Sequence, residues 1–331
     1  MVAETEAMPH KSQTDQSGTI AFHAVDRLDI SVIADNYYDS SRPDGAVAKR
    51  YRSTPGKAIH AEHGFSCYLE TGIGTEDNRL MFDFGLDPRN AIHNMDLLAI
   101  DLAGVGAFCL SHGHYDHWGA LPEVLKHYRS KIKAGTPLYV GSGAFARRFS
   151  VRPSQSKPTD IGRLSEEDIR ALNIVHIVEI TDPAEVIPGI CLTGNIAPAT
   201  DYETGSPTLL VERENRLERD FFEGEQAAVC HVKNRGLVVL SGCAHRGIVN
   251  TVKHAQKITG IDKVHAVIGG FHLINAAPEI IEKTIADLIA IAPDYIIPAH
   301  CTGFEALVRF AEEMPGRFIL NTTGTRYRFA S

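Results

Sequence analysis

The sequence predicts an α/β (α+β) protein built as a sandwich of two sheets with helices outside. Strand-like runs dominate the N-terminal part and alternate with helical patterns towards the C-terminus, and such stretches pack as facing sheets covered by helices. With 331 residues, 44% of them hydrophobic, the chain can bury a large core without disulfide or metal staples. No short-period repeat competes with this reading.

Residues 1–20 are polar and lack the basic-then-apolar order of a signal peptide. They read as a disordered tail ahead of a domain over 21–331. Residues 28–34 alternate as a strand that Asp35-Asn36 ends with turn chemistry. Over 37–63 the pattern is lost around Pro43-Asp44-Gly45 and Pro55-Gly56, and an insertion of that length is functional or disordered. Residues 65–70 and 79–84 form a hairpin pair joined by Thr71-Gly72-Ile73-Gly74. A helix over 90–102 is followed by an apolar strand over 105–110. The next helix, 120–129, places Leu121, Val124, Leu125 and Tyr128 on one stripe, before a strand over 137–140.

Residues 145–161, with Arg147, Arg148, Arg152 and Lys157, read as a basic loop, either solvated or forming one wall of an active-site mouth. Ser165 is placed to cap a helix over 165–172 whose first turn is acidic. Strands follow at 174–178, 189–193, 208–211, 227–232 and 236–241, with an irregular polar region over 197–225. Helices over 248–259, 278–291 and 304–313 then alternate with strands over 263–268 and 295–298.

The net charge of -8 excludes a general nucleic-acid binder, which would show a basic footprint. It leaves room for one local phosphate pocket. Six scattered cysteines without a C-x-x-C pair read as buried thiols in a reducing compartment. No run approaches the ~20 apolar residues of a membrane span. A cytoplasmic protein acting on a small molecule is the expectation, with a homo-oligomer left open.

The stretch Ser111-His112-Gly113-His114-Tyr115-Asp116-His117-Trp118 carries the chemistry. It follows the buried strand directly, and three imidazoles with a carboxylate are too polar to bury unpartnered. One residue between His112 and His114 sends both side chains to the same side of an extended strand end, where they can grip one metal ion. Asp116 and His117, where the chain turns towards a helix, reach a second point nearby. Imidazole with carboxylate suits zinc, iron or manganese better than copper(I) or calcium.

This stretch matches the HxHxDH signature of the metallo-β-lactamase superfamily. The segments Gly64-Phe65-Ser66, Leu80-Met81-Phe82-Asp83-Phe84-Gly85, Ser241-Gly242-Cys243-Ala244-His245-Arg246-Gly247, Gly269-Gly270-Phe271-His272 and Pro298-Ala299-His300-Cys301-Thr302-Gly303 resemble one branch of it. That branch contains 7,8-dihydropterin-6-methyl-4-(β-ribofuranosyl)aminobenzene 5′-phosphate synthase-like proteins. The resemblance implies a four-layer αββα sandwich and two divalent metal ions, zinc foremost, with manganese or iron as alternatives. It assigns His112 and His114, with a third histidine, to the first ion. Asp116 and His117, with the late His300, go to the second. His245 is chosen as the third histidine.

The chain departs from the superfamily's pattern where a bridging Asp is usual, since Gly242 is followed by Cys243. That residue reads as a thiolate ligand, a neutral thiol or an unreactive neighbour, with the neighbour preferred. His272 is then spare, a substitute ligand or an acid for the leaving group. Asp83 is either a support for the histidine loop or a plain turn residue. The resemblance also makes 37–63 a flap beside the metals, with Tyr37, Tyr38 and His60 as candidate substrate contacts.

Arg246-Gly247 opens a helix whose free N–H groups and neighbouring cation would suit a phosphate or carboxylate. Residues 322–326, ending in Arg326, offer a similar cradle, with simple capping or a surface ion pair as the alternative. The expected function is a hydrolase in which metal-bound water, its pKa lowered from about 15.7 to about 7, attacks a small phosphate-bearing ester with Asp116 orienting it. The alternatives are condensation of a dihydropterin with an aminobenzene ribosyl-phosphate, iron redox chemistry, and metal binding without catalysis.

Overall fold

The computed structural model describes residues 19–151 and 157–331. The tail over 1–18 and Arg152 lie outside the described residues. Ile20, assigned by sequence to the tail, is buried, and its N–H donates to the Ile258 carbonyl. The packed chain therefore begins at or before Ile20.

Two large sheets face one another. The first has eight strands, with Arg27–Ala34, Ser66–Ile73, Glu76–Phe82, Ala107–Cys109 and Thr136–Val140 adjacent at its centre. The second has seven, among them Ala228–Val232, Gly236–Ser241, Val264–Gly270 and Tyr295–Ala299. Alternation along the strands sorts the apolar residues into three cores. Leu69, Leu80 and Phe82 meet Val238, Leu240 and Ile268 between the sheets. Tyr68, Met81 and Phe108 point the other way, onto Met95, Leu121 and Ile169 of the Pro88–Leu97, Leu121–His127 and Glu166–Ala171 helices. Val239 and Val267 do the same against Val252, Ile285 and Phe310 of the Ile248–Thr259, Pro278–Ile291 and Phe304–Glu313 helices. Burial on both faces explains why these strands read as nearly continuous apolar runs, and the layers are the αββα sandwich expected.

Several boundaries differ from the sequence reading. The first hairpin keeps its ladder as far as Ile73 opposite Glu76, so its turn is Gly74-Thr75 alone. The helix expected over 90–102 is Pro88–Leu97, started by the Asp87 side chain accepting from the Arg89 N–H. It ends before Ala99, whose positive φ of 53° breaks the helical path. The basic stretch 145–161 is no plain loop. Arg148–Ser150 and Thr159–Gly162 join Leu209–Arg213 and Arg216–Arg219 in a third, four-stranded sheet. The last two strands are joined by Glu214-Asn215, both at positive φ, the geometry of the tight hairpin turns that match strand twist. The first of the two was expected over 208–211, and the polar sequence of Arg216–Arg219 hid the second.

The final strand, Arg326–Ala330, was also unread. It pairs with Arg27–Ala34, and the Arg326 side chain bonds Asp29 and Glu70. Thr322 and Thr325 hydroxyls accept from buried Arg50. The suggested cradle over 322–326 is therefore filled by the protein's own groups. Among the described residues no helix is long and apolar enough to cross a membrane.

Candidate metal centre

Five strands, those of each large sheet parallel to one another, deliver the site from their carboxyl ends. Glu76–Phe82 and Ala107–Cys109 run into Asp83 and Ser111-His112, while Gly236–Ser241 and Val264–Gly270 run into Cys243-Ala244-His245 and Phe271-His272. Tyr295–Ala299, parallel to the last of these, runs into His300. The turns are sharp. Asp83, Ala244, His272 and His300 all hold positive φ, from 47° to 57°, a conformation that costs a non-glycine residue about 1–3 kcal/mol and persists where the surroundings over-determine it.

Among the described residues five overlapping groups of three side chains could hold a metal ion, and two of them contain no cysteine. His112, His114 and His245 bring ligand atoms within 4.8 Å of one another, and so do Asp116, His117 and His300. In the first, the Nε2 atoms of His112 and His245 face each other at 3.2 Å. His114 Nε2 is buried with no hydrogen-bond partner. Converging lone pairs with nothing between them are what a cation would satisfy. Burial, followed by repulsion from neighbouring imidazoles and Arg148, pushes the pKa of His112 well down, and burial does the same for His114 and His245. These rings are neutral and ready to ligate.

In the second group, burial works against the Asp116 carboxylate, yet His117 and His300 beside it hold its pKa below the usual carboxylate range. Burial also opposes a charged His300, but Cys301 and Asp116 outweigh it and lift its pKa to about 9.

The outer shell fixes the ring tautomers. Ser111 donates its N–H and hydroxyl to Asp83, at 2.7 Å each. The same carboxylate lies 2.7 Å from His117 Nδ1, and the Ser111 oxygen lies 2.9 Å from His112 Nδ1. With protons on both Nδ1 atoms, both Nε2 atoms are free for metal. Of the two roles weighed for Asp83, the support of the histidine loop is the one its contacts describe. Gly242 makes the approach possible, since a Cβ there would lie 2.1 Å from Ser111 Oγ. Gly113 is similarly constrained, by Arg148 at 2.2 Å. Arg148, expected in a loop that is either solvated or a wall of the active-site mouth, is buried, paired with Asp220 at 2.8 Å, and donates to the Gly113 carbonyl. It braces the loop between the two ligand histidines.

His272 lies beside His245, with ring centroids 4.0 Å apart, and its Nδ1 is buried without a partner. Burial opposes its protonation, but Cys301 and Glu225 outweigh this and raise its pKa. It forms one wall of a cavity of about 310 Å³ that opens onto the first triad, between Tyr202, His245, Phe271, Asn275 and Ile280. Among the described residues no Lys or Arg lines this cavity.

The anion cradle expected at Arg246-Gly247 is occupied by the chain itself. Glu203 accepts the Val249 and Asn250 N–H groups at 2.9 and 2.7 Å, and Arg246 donates its guanidinium to the Ile196 and Phe221 carbonyls. The three loop residues named as candidate contacts face solvent or have partners of their own. The Tyr38 hydroxyl is bonded within its own loop to Ser53 at 2.6 Å. Tyr37 is exposed, and its carbonyl accepts from Thr323. His60 stacks on His93, with ring centroids 4.5 Å apart.

The sequence reading missed His63, which stands half-exposed at the end of that loop with Nε2 3.5 Å from Asp116 Oδ2 and its ring over His300. It also missed Glu225, fully buried, which holds the His245 and Arg246 N–H groups and whose pKa burial raises to about 7. Only the Glu62-His63-Gly64 step just before a strand offered a signal, for His63.

With the fold and both triads in view, the comparisons with known proteins agree. The model of the metallo-beta-lactamase superfamily matches residues 66–194. A 7,8-dihydropterin-6-methyl-4-(beta-D-ribofuranosyl)-aminobenzene-5′-phosphate synthase of Methanocaldococcus jannaschii is 32% identical, over 89% of this chain and 94% of its own length. The chain belongs to the metallo-β-lactamase superfamily. Among solved structures, Tm1679, described as a metal-dependent hydrolase of the β-lactamase superfamily, superposes with a TM-score of 0.71 at 24% identity, covering 92% of this chain and all 100% of that one. YhfI from Bacillus subtilis, a metallo-β-lactamase fold protein, gives 0.51 at 11% identity, with 91% and 99% covered. These two likenesses concern the fold.

Proposed function

We propose that the chain is a metal-dependent hydrolase of a small ester whose reacting group lies at the two triads and whose uncharged remainder fills the adjoining cavity. The observation that carries this reading is the pair of neighbouring three-residue groups, the first of which puts His245 on the wall of a cavity. Divalent ions held there, zinc foremost with manganese or iron as alternatives, would supply Lewis acidity, acidifying water and offsetting negative charge that develops on oxygen.

The protein's own groups do the rest. Asp116, kept ionised, accepts a hydrogen bond from the attacking water and orients it. His272, with an unpartnered Nδ1 on the cavity wall, is positioned to give a proton to the leaving group. Phe271 and Ile280 exclude water from its apolar part. A phosphate-bearing ester fits this arrangement with its phosphorus as the reacting centre. Among the described residues no Lys or Arg lines the cavity, so a remote phosphate handle would find only the start of the Pro278–Ile291 helix, whose Ala277 supplies no side-chain cap.

A second reading, condensation of a dihydropterin with an aminobenzene ribosyl-phosphate, is favoured by the 32% identical synthase. Against it stands the cavity's size, about 310 Å³, near the lower end of the roughly 300–1,000 Å³ typical of small-molecule pockets. The deciding experiment supplies zinc- or manganese-loaded protein with phosphodiesters, lactones and thioesters, and separately with the two condensation partners. Metal-dependent hydrolysis of one ester class supports the first reading. Pyrophosphate release with the ribosyl phosphate retained, and no hydrolysis, supports the second.

A further inference from the structure

Cys243 occupies a position that neither triad accounts for. Its Sγ lies within 4.8 Å of ligand atoms of His112 and His117, of His245 and His272, and of His300 and Cys301. Among the described residues it is the one ligand-capable side chain outside the triads that groups with members of both. His272 groups only with His245 of the triad residues, and Cys301 only with His300. The sulfur is buried and faces His117 Nε2 at 3.2 Å, the nitrogen left free because Nδ1 carries the proton donated to Asp83.

We infer that Cys243 is a thiolate ligand shared by both metal ions, with Cys301 as the positioning residue that hydrogen-bonds its sulfur. The charge balance supports the inference. The two triads together contribute one carboxylate, Asp116, and five neutral donors. A second negative charge is most effective midway between the ions, where it is close to both. Cys301 is suited to hold that sulfur, with its Sγ 3.2 Å from Cys243 Sγ and 3.4 Å from the Cys243 carbonyl. A soft donor at the centre favours zinc, cobalt or iron over magnesium and manganese. On ligation the thiol proton leaves to solvent and a metal–sulfur bond forms, with no change in oxidation state.

The inference rests on the reading that the triads hold metal, but its test does not use turnover. Metal-stripped protein is reloaded with cobalt(II), and the near-ultraviolet spectrum is recorded beside the metal content. The expected result is two cobalt ions per chain with a sulfur-to-cobalt charge-transfer band in the parent and in Cys301→Ser, shifted in the latter. Cys243→Ser is expected to lose the band and to bind its second ion at least about tenfold more weakly, the lower end of what outer-shell losses cost.

X-ray absorption of the unsubstituted zinc protein needs no variant, and a sulfur scatterer at about 2.3 Å is expected there. Two bound cobalt ions without the band, a band that survives Cys243→Ser, or a zinc shell free of sulfur would overturn the inference and leave the hydrolase reading standing. Failure to bind cobalt at all would overturn both.

Discussion

Asp83 Oδ2 lies 2.7 Å from His117 Nδ1, and neither side chain has any exposure to solvent. The contact sets the His117 tautomer and aims Nε2 at the second triad. Since the same carboxylate reaches His112 through Ser111, one buried residue orients a ligand in each triad. Asp83→Asn removes the charge while keeping the shape. Zinc affinity is expected to fall about 10- to 100-fold at both triads, with the fold retained. Calorimetric titration would measure this, and unchanged affinity would reduce Asp83 to a turn residue.

The triads should differ in how binding depends on pH. His300, with a pKa near 9, carries a proton at neutral pH that an incoming ion must displace. Affinity at the second triad should therefore rise by about tenfold per pH unit and level off near pH 9. The first triad's imidazoles have depressed pKa values and are already neutral, so they release no proton of their own and affinity there should rise with pH less steeply than at the second triad. Zinc titrations from pH 6 to 9 test this, and identical slopes at the two sites would contradict it.

Glu203 seals the Ile248–Thr259 helix. Replacing it with Ala leaves two helix N–H groups unpaired and should cost about 1–2 kcal/mol, as for other lost N-caps, read from urea denaturation. The same variant frees an anion site that the parent lacks. Inorganic phosphate should then raise the midpoint of Glu203→Ala and leave the parent unchanged. Equal stabilisation of both would mean that phosphate binds elsewhere.

Asp29 is buried under Arg27, Arg326 and Arg328, tying the last strand to the first long one. Burial opposes its ionisation, but Arg328 and the other two arginines outweigh it and depress its pKa. A depressed carboxylate contributes stability above its unfolded pKa of about 3.9 and loses it as pH falls through the folded value. Asp29→Asn should cost about 1–3 kcal/mol at pH 7, below the ~3–5 of a fully enclosed pair because the arginines reach solvent. The difference should vanish in acid. A penalty independent of pH would assign the effect to packing.

What the sequence disclosed follows from covalent proximity. His112, His114, Asp116 and His117 are neighbours in the chain, and the apolar strands ahead of His245, His272 and His300 announced that each stands at a strand end. The sandwich was legible because its strands and helices are long and strongly patterned. Partners brought together only by the fold were not. Glu225 meets His245 across 20 residues and Glu203 meets Asn250 across 47, and no local pattern records either contact. The missed third sheet is built from strands such as Arg216–Arg219, whose polar residues give no alternation to read. Arg246 was misread for a related reason. A cation beside a helix start promises an anion site, but whether the chain fills that site itself is decided by a residue far away.

The central claim is that His112, His114 and His245 hold one metal ion and Asp116, His117 and His300 a second. Metal content per chain tests it most directly, measured by mass spectrometry on parent, His114→Ala, His300→Ala and His272→Ala proteins purified without added metal. The account predicts two equivalents in the parent and in His272→Ala, and one in each of the other two variants. One equivalent in the parent, or loss of both ions in His272→Ala, would contradict it.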